Sequence, residues 1–318
     1  MDRGQRFAQV GRAIGQRLVQ AALVSFLVGT LSFVMMWALP GDLAFRIAAG
    51  RYGYDMVTDR AAQAVREELQ LERGPGVALQ RWFTQLLRLD LGDSWVTGAP
   101  IVDEIRHQLG ATLTLAFAGM ALALVIGPLL GLVAGQRPDS AIDRLVRVGA
   151  IGVRALPSFL VGLALALVFS VQVGAFPAAG DDDNGSLVLP ALTLAIALAA
   201  GISRVTRDAV AAVVRSPYYE FARLKGLSPR DALVWHGLRN AAVPVIAYMG
   251  VQMALLIEGV IVVETLFAWP GIGHALVHAI FGRDVPMIQG AALVMALLFV
   301  GLNLLVDLAC LAADPRRR

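Results

Sequence analysis

The chain has one cysteine, Cys310, and one lysine, Lys225, among its 318 residues. A lone cysteine excludes a disulfide framework and a metal site built from several thiolates. The lysine lies between Leu224 and Gly226, whereas a phosphate-cradling loop needs Gly-Lys followed by Ser or Thr. ATP is therefore not bound by that device. Charge is scarce as well: 16% of residues are Asp, Glu, Lys or Arg, against about 25% in soluble domains. With 57% hydrophobic residues and a mean hydropathy of +0.67, this excludes a water-soluble globular chain and a disordered one. No His-Glu-x-x-His, no Gly-x-Ser-x-Gly elbow and no nucleophile–base constellation is present. The sequence predicts no catalytic residue and no metal or cofactor of its own.

What the chain does have is long uncharged runs. No ionisable side chain interrupts residues 18–41, 108–136, 155–180 or 184–203, and 241–263 and 285–313 each hold one acid, Glu258 and Asp307. About 20 helical residues cross about 30 Å of hydrocarbon. The runs are continuous and rich in Leu and Ala, without the alternation of a barrel strand. The expectation is an all-α polytopic membrane protein with six transmembrane helices. The first, residues 18–39, is too long for a signal-peptide core and is read as retained.

Six crossings put both termini on one side. That side holds the N-terminus (1–17), the 136–147 loop, the 204–240 segment and the tail (314–318), with 17 basic and 7 acidic residues. The opposite side, residues 40–107, 173–186 and 264–287, has 9 basic and 15 acidic. The positive-inside rule places the termini in the cytoplasm. Topology thus explains the basic pI of 9.4, and nucleic acid is not needed.

The 40–107 insertion between the first two helices is external. Thr58-Asp59 is predicted to cap a helix through Leu71, with Ala62, Val65 and Leu69 on one face. A second amphipathic stretch, Val77 to Leu89, follows a break at Gly74-Pro75-Gly76 and aligns Leu79, Phe83 and Leu86. Such helices suit a membrane surface or an external partner. The acidic loop from Asp181 reads as a solvated turn.

Inside the apolar core (108–313), Gly127, Gly131 and Gly135 share a helix face and invite close packing. Pro128, Pro157 and Pro190 remove backbone donors and invite kinks. Glu258 is a pathway candidate or the structural partner of Arg154, and Asp307 lies toward the cytoplasmic end. His274 and His278, spaced i, i+4, would share a helix face, but without a third ligand they read as surface residues. His107 and His236 are isolated.

The segment 204–240 carries the strongest pattern. Ser216-Pro217 opens a short helix, Tyr218 to Lys225, and Gly226 ends it. Ser228-Pro229 starts the next. Tyr219 and Phe221 beside Glu220, Arg223 and Lys225 make a mixed face suited to a socket on another protein.

This segment resembles the EAA loop of binding-protein-dependent ABC importer permeases, E-A-A-x3-G-x9-I-x-L-P. Glu220, Ala222, Gly226 and Leu238 match it, while Phe221, His236 and Arg239 replace alanine, isoleucine and proline. The ending through Pro244 is similar to the dipeptide, oligopeptide and nickel subfamily. So are Pro40-Gly41-Asp42, Asp90-Leu91-Gly92-Asp93-Ser94, Leu156-Pro157-Ser158-Phe159, Val263 through Gly273, Arg283-Asp284-Val285-Pro286 and Asp314-Pro315-Arg316. Glu258 stands where the resemblance implies glycine.

The resemblance implies a type I ABC importer permease-like fold in a bacterial inner membrane. This chain would form half of the pathway for a solute, a peptide or a nickel or other metal chelate, with a second homologous permease. Two ATPase subunits would bind ATP and Mg, and a periplasmic binding protein would deliver the cargo. Tyr218, Tyr219, Glu220, Phe221, Ala222, Arg223, Lys225 and Gly226 would couple to an ATPase. Pro157, Ser158, Phe159 and Glu258 are pathway candidates. Trp269, Pro270, Gly271, Ile272 and Gly273 are candidates for docking the binding protein. Two alternatives stand beside it: a proton-coupled secondary transporter using Glu258 and Asp307, and an intramembrane enzyme.

Overall fold

Proline, glycine and short polar caps set where the helices of this chain begin and end. The computed structural model describes residues 3–38, 40–53, 55, 57–71, 75–88, 90–181 and 185–313, apart from the side chains of 3–10, 13, 36, 75, 236, 251, 254, 255, 258, 306 and 308–313. Gly74, most of the acidic turn (182–184) and the tail (314–318) lie outside the described residues, as do the side chains of His236 and Glu258.

The helices are α1 (Arg3–Ala38), α2 (Leu43–Tyr52), α3 (Asp59–Glu68), α4 (Pro75–Leu86), α5 (Ile101–Gln136), α6 (Ala141–Ala155), α7 (Ser158–Leu165), α8 (Val188–Val214), α9 (Pro217–Leu224), α10 (Pro229–Ala232), α11 (Leu238–Leu266), α12 (Ile272–Gly282) and α13 (Val285–Ala313). α7 continues as a π-helical stretch, Ala166–Gln172, and a second, Leu233–Gly237, joins α10 to α11.

All six apolar runs are helical, with changed boundaries. Among the described residues, α5, α8 and parts of α1 and α13 are long and apolar enough to cross a bilayer, and the α6–α7 pair makes a fifth. α11 covers the remaining run. The third run does not form one straight helix over 155–180. α6 and α7 meet at 104°, because Pro157 has no N–H to donate and holds its predecessor out of the helical region. Three helices lie outside the predicted elements: α2, capped by the Asp42 carboxylate on the Ala44 N–H at 2.9 Å, α6, which begins within the 136–147 segment read as a loop, and α12.

The chain divides into two compact units. The first comprises residues 1–112 and 270–304. Thr58 caps α3 as expected, accepting from the Ala61 N–H, but the helix stops at Glu68, short of Leu71, where Gln70 turns to φ +52°. Pro75 and Gly76 open α4 rather than break the chain before it, since proline is preset for a first helical position. Ala62 and Val65 are buried, Val65 packing with Ala44, Ile47 and Ala48 of α2. α4 lies on α1: Trp82 fills the space at Gly29, where an added Cβ would come within 2.1 Å of the ring. Phe83 stacks on Phe26 with centroids 5.4 Å apart.

The second unit comprises residues 113–269 and 305–318. α5 and α8 pack backbone to backbone along the predicted glycine face. A Cβ added at Gly131 would meet the Ser203 carbonyl oxygen and Thr206 Cβ at 2.5 Å, and one at Gly135 would meet the Arg207 carbonyl and Val210 Cβ at 2.7 Å. α11 packs against α8 and α7.

Candidate functional site

α8 ends at Val214, and Arg215 and Ser216 join it to α9. Ser216 does not cap α9 with its side chain. Its hydroxyl donates instead to the Val213 carbonyl at 2.5 Å, fastening the turn to α8. Pro217 begins α9, and the helix ends in a double-bonded glycine cap. The Gly226 N–H donates to Arg223 at 3.0 Å and the Leu227 N–H to Ala222 at 3.3 Å. Gly226 sits at φ +92°, a left-handed conformation that favours glycine. Ser228 caps α10, accepting from the Asp231 N–H.

The faces of α9 differ from the expectation in one respect. Tyr219, predicted on the docking surface, is buried with Ala222 against Val210, Val213, Ala232 and Leu233. Its hydroxyl donates to the Pro229 carbonyl at 3.1 Å. Tyr218, Glu220, Phe221, Arg223, Leu224, Lys225 and Gly226 are exposed, Phe221 at 58% and Leu224 at 80%. The Lys225 ammonium lies 4.5 Å from the Phe221 ring centroid, a cation–π contact. Arg223 bonds the Leu227 carbonyl at 2.9 Å. α9 is thus a short helix riveted on one side, with aromatic, aliphatic and charged side chains exposed on the other.

The end of α8 is itself anchored. Arg207 grips the fully buried Asp143 carboxylate of α6, and the Asp139 N–H donates to the same carboxylate at 2.8 Å. Asp143 precedes the third apolar run and Arg207 follows the fourth. Neither residue was singled out from the sequence, because 64 positions separate them.

Among the pathway candidates, Pro157 is the exposed residue before α7, Phe159 is exposed and Ser158 is half-buried. Arg154 donates to the Tyr248 hydroxyl at 2.9 Å. The segment predicted to dock a binding protein is mostly buried within the chain. Trp269, Gly271, Ile272 and Gly273 are buried and Pro270 half-buried, and the Ile272 N–H donates to Thr112 Oγ1 at 2.9 Å. Little of this segment is left for a partner to touch. The nearby surface is supplied by α12, where Ile280 and Phe281 are exposed. His274 and His278 meet edge-on on α12, centroids 4.5 Å apart. Burial, with help from His278, lowers the His274 pKa, which holds the ring neutral at pH 7. No group of three or more metal-ligating side chains occurs among the described residues.

Three distant motifs converge in the first unit. Asp284 accepts from the Ser94 hydroxyl and from the Trp95 N–H at 3.0 Å, while Arg283 donates to the Pro40 and Gly41 carbonyls. Arg51 holds Trp95 by its carbonyl at 2.6 Å and Glu68 by both carboxylate oxygens. That pairing lowers the Glu68 pKa. The motifs at 40–42, 90–94 and 283–286 are therefore joined in a structural clamp on the insertion.

Residues 127–318 match the family of binding-protein-dependent transport system inner membrane components. A protein of Brucella abortus (strain 2308), provisionally named a peptide transport system permease protein, is 37% identical over 95% of this chain and 98% of its own. The glutathione transport system permease protein of Pectobacterium atrosepticum is 36% identical over 95% and 97%. That of Escherichia coli O6:H1 is 35% identical over the same shares. A solved structure described as an amino acid ABC transporter with histidines shares the fold, with a TM-score of 0.53 and 18% identity over 68% of this chain and 95% of that one. These likenesses set aside the proton-coupled alternative.

Proposed function

This chain belongs to the family of binding-protein-dependent transport system inner membrane components, as a permease subunit of an ATP-driven importer, and from that premise we propose that its cargo is a short peptide and that α9 is its contact with an ATPase. Peptide cargo is supported by relatives named for peptide and for glutathione transport. Their names give the nickel or metal-chelate reading no comparable support.

The full assembly in this reading has a second, homologous permease, two ATPase subunits that carry the ATP and Mg, and a periplasmic binding protein that loads the cargo. The distribution of arginines supports cytoplasmic termini and puts 204–240 on the ATPase side. The external face then includes the 40–107 insertion and α12, whose exposed Ile280 and Phe281 offer the binding protein an apolar foothold beside Pro270.

The observation that carries the coupling role is the division of α9 into two faces. Tyr219 and Ala222 are locked to the end of α8, while Tyr218, Phe221 and Leu224 face outward. A push on the outer face is passed to α8 through the Ser216 bond to Val213 and the packing of Tyr219 on Val210 and Val213. From α8 it reaches α5 through the glycine contacts and α6 through Asp143–Arg207. Closely packed elements move together as rigid bodies, so closure of an ATPase dimer tilts the helices that bound the α6–α7 bend.

The test is uptake of tri-alanine by proteoliposomes holding both permeases and both ATPases. Uptake that requires ATP and the loaded binding protein is the expected result. Uptake that follows a proton gradient and ignores ATP would contradict the proposal.

A further inference from the structure

The angle between α6 and α7 opens a cleft of about 350 Å³, walled by Leu194, Leu198 and Leu256 and set with three polar side chains, Arg154, Ser158 and Gln252. Its volume lies in the range of small-ligand pockets, about 300–1,000 Å³. Arg154 is the one ionisable residue among those lining it. Arg154 lines the cleft as an exposed residue at the end of α6. It reaches Tyr248 in α11, and a Cβ added at Gly201, midway along α8, would come within 3.0 Å of its Nη1. A cation set among the apolar helices of a membrane bundle by default marks a pathway.

The partners on view do not neutralise it. Tyr248 is a neutral acceptor for one of five guanidinium N–H donors, and no carboxylate forms an ion pair with Arg154 among the described residues. Gln252 is 2% exposed. Its amide nitrogen donates to the Leu198 carbonyl at 3.3 Å, while its Oε1 is buried with no hydrogen-bond partner among the described residues. Buried acceptors are normally satisfied. The cleft therefore presents a cation and an unused neutral acceptor within an apolar wall. The chemistry that answers both is a carboxylate followed closely by an amide N–H.

We infer that this cleft is a cargo subsite in which Arg154 holds the C-terminal carboxylate of a passing peptide and Gln252 Oε1 accepts from its last amide N–H. Recognition of this kind uses only main-chain groups, so it admits peptides of varied side chains. The inference rests on the peptide reading given above and adds to it a site in the permease itself.

The experiment uses the reconstituted transporter and free-acid tri-alanine. Arg154→Gln lowers uptake by at least about tenfold, while ATPase activity stimulated by the loaded binding protein stays within about twofold, because cargo passage and ATPase contact are separate steps. Arg154→Lys recovers part of the uptake, since charge returns without the planar fork. Gln252→Leu lowers uptake with assembly intact. Normal uptake by Arg154→Gln would overturn the inference. So would recovery in the double variant Arg154→Gln with Glu258→Gln, which would make Arg154 a structural ion-pair partner. Should Arg154→Gln fail to assemble, Ser158→Cys in a Cys310→Ser background decides. Tri-alanine delivered with ATP slows its modification by a thiol reagent, and absence of protection would overturn the site. A wild-type complex that imports another solute but never tri-alanine removes the peptide reading and this subsite with it.

Discussion

Arg207 closes on Asp143 with both nitrogen–oxygen pairs engaged, Nε to Oδ1 at 2.8 Å and Nη2 to Oδ2 at 2.5 Å, with the carboxylate fully buried. The pair joins the first turn of α6 to the part of α8 that carries α9. Whatever moves α9 is therefore felt at α6, and from there at the bend where the cleft lies.

Removing one member leaves the other charge buried without its partner. Asp143→Asn is expected to destabilise the permease by about 3–5 kcal/mol, read as a lowered thermal midpoint of the purified complex. Asp139→Asn removes the exposed Asp139–Arg215 pair and is expected to change stability by less than about 0.5 kcal/mol. Equal effects from the two variants would contradict this assignment.

Glycine contacts separate two classes of position. Gly131→Ala forces a Cβ against the Ser203 carbonyl and Thr206 at 2.5 Å, and α5 and α8 must part. Gly152→Ala on α6 meets nothing within 4 Å and is neutral or slightly stabilising, by up to about 1 kcal/mol. A stability comparison of the two complexes, with uptake alongside, checks the prediction: Gly131→Ala loses both.

At the end of α9, Gly226→Ala must hold φ +92° with a side chain, at a cost of about 1–2 kcal/mol, and lowers coupled uptake. Gly226→Pro also removes the N–H that bonds Arg223 and abolishes transport. Glu220→Lys reverses charge on the exposed face with the same result. All three insert normally, as judged by membrane yield. Normal uptake by Gly226→Pro would refute the role given to α9.

Much of this was legible in the residues. Ser-Pro at 216–217 and 228–229 and glycine at 226 punctuate α9 because each carries a backbone constraint of its own. Glycines four apart marked the α5 face for the same reason. The inward turn of Tyr219 was not legible, since eight residues make too few turns to show a periodic face. Nor was the burial of Trp269, Gly271, Ile272 and Gly273, which the resemblance offered for docking and tertiary packing covers. Asp143–Arg207, Asp284–Ser94 and the Arg154 cleft each join residues dozens to nearly two hundred positions apart, and no local pattern announces such a meeting.

In the proposed function, α9 is the part of this permease an ATPase holds. The direct test is Phe221→Cys in a Cys310→Ser background, cross-linked in the assembled transporter with a short thiol-reactive reagent. Capture of an ATPase subunit is expected, with a yield that changes when ATP is bound. Efficient labelling of Phe221→Cys with no capture of an ATPase, in a complex that still imports its cargo, would contradict it.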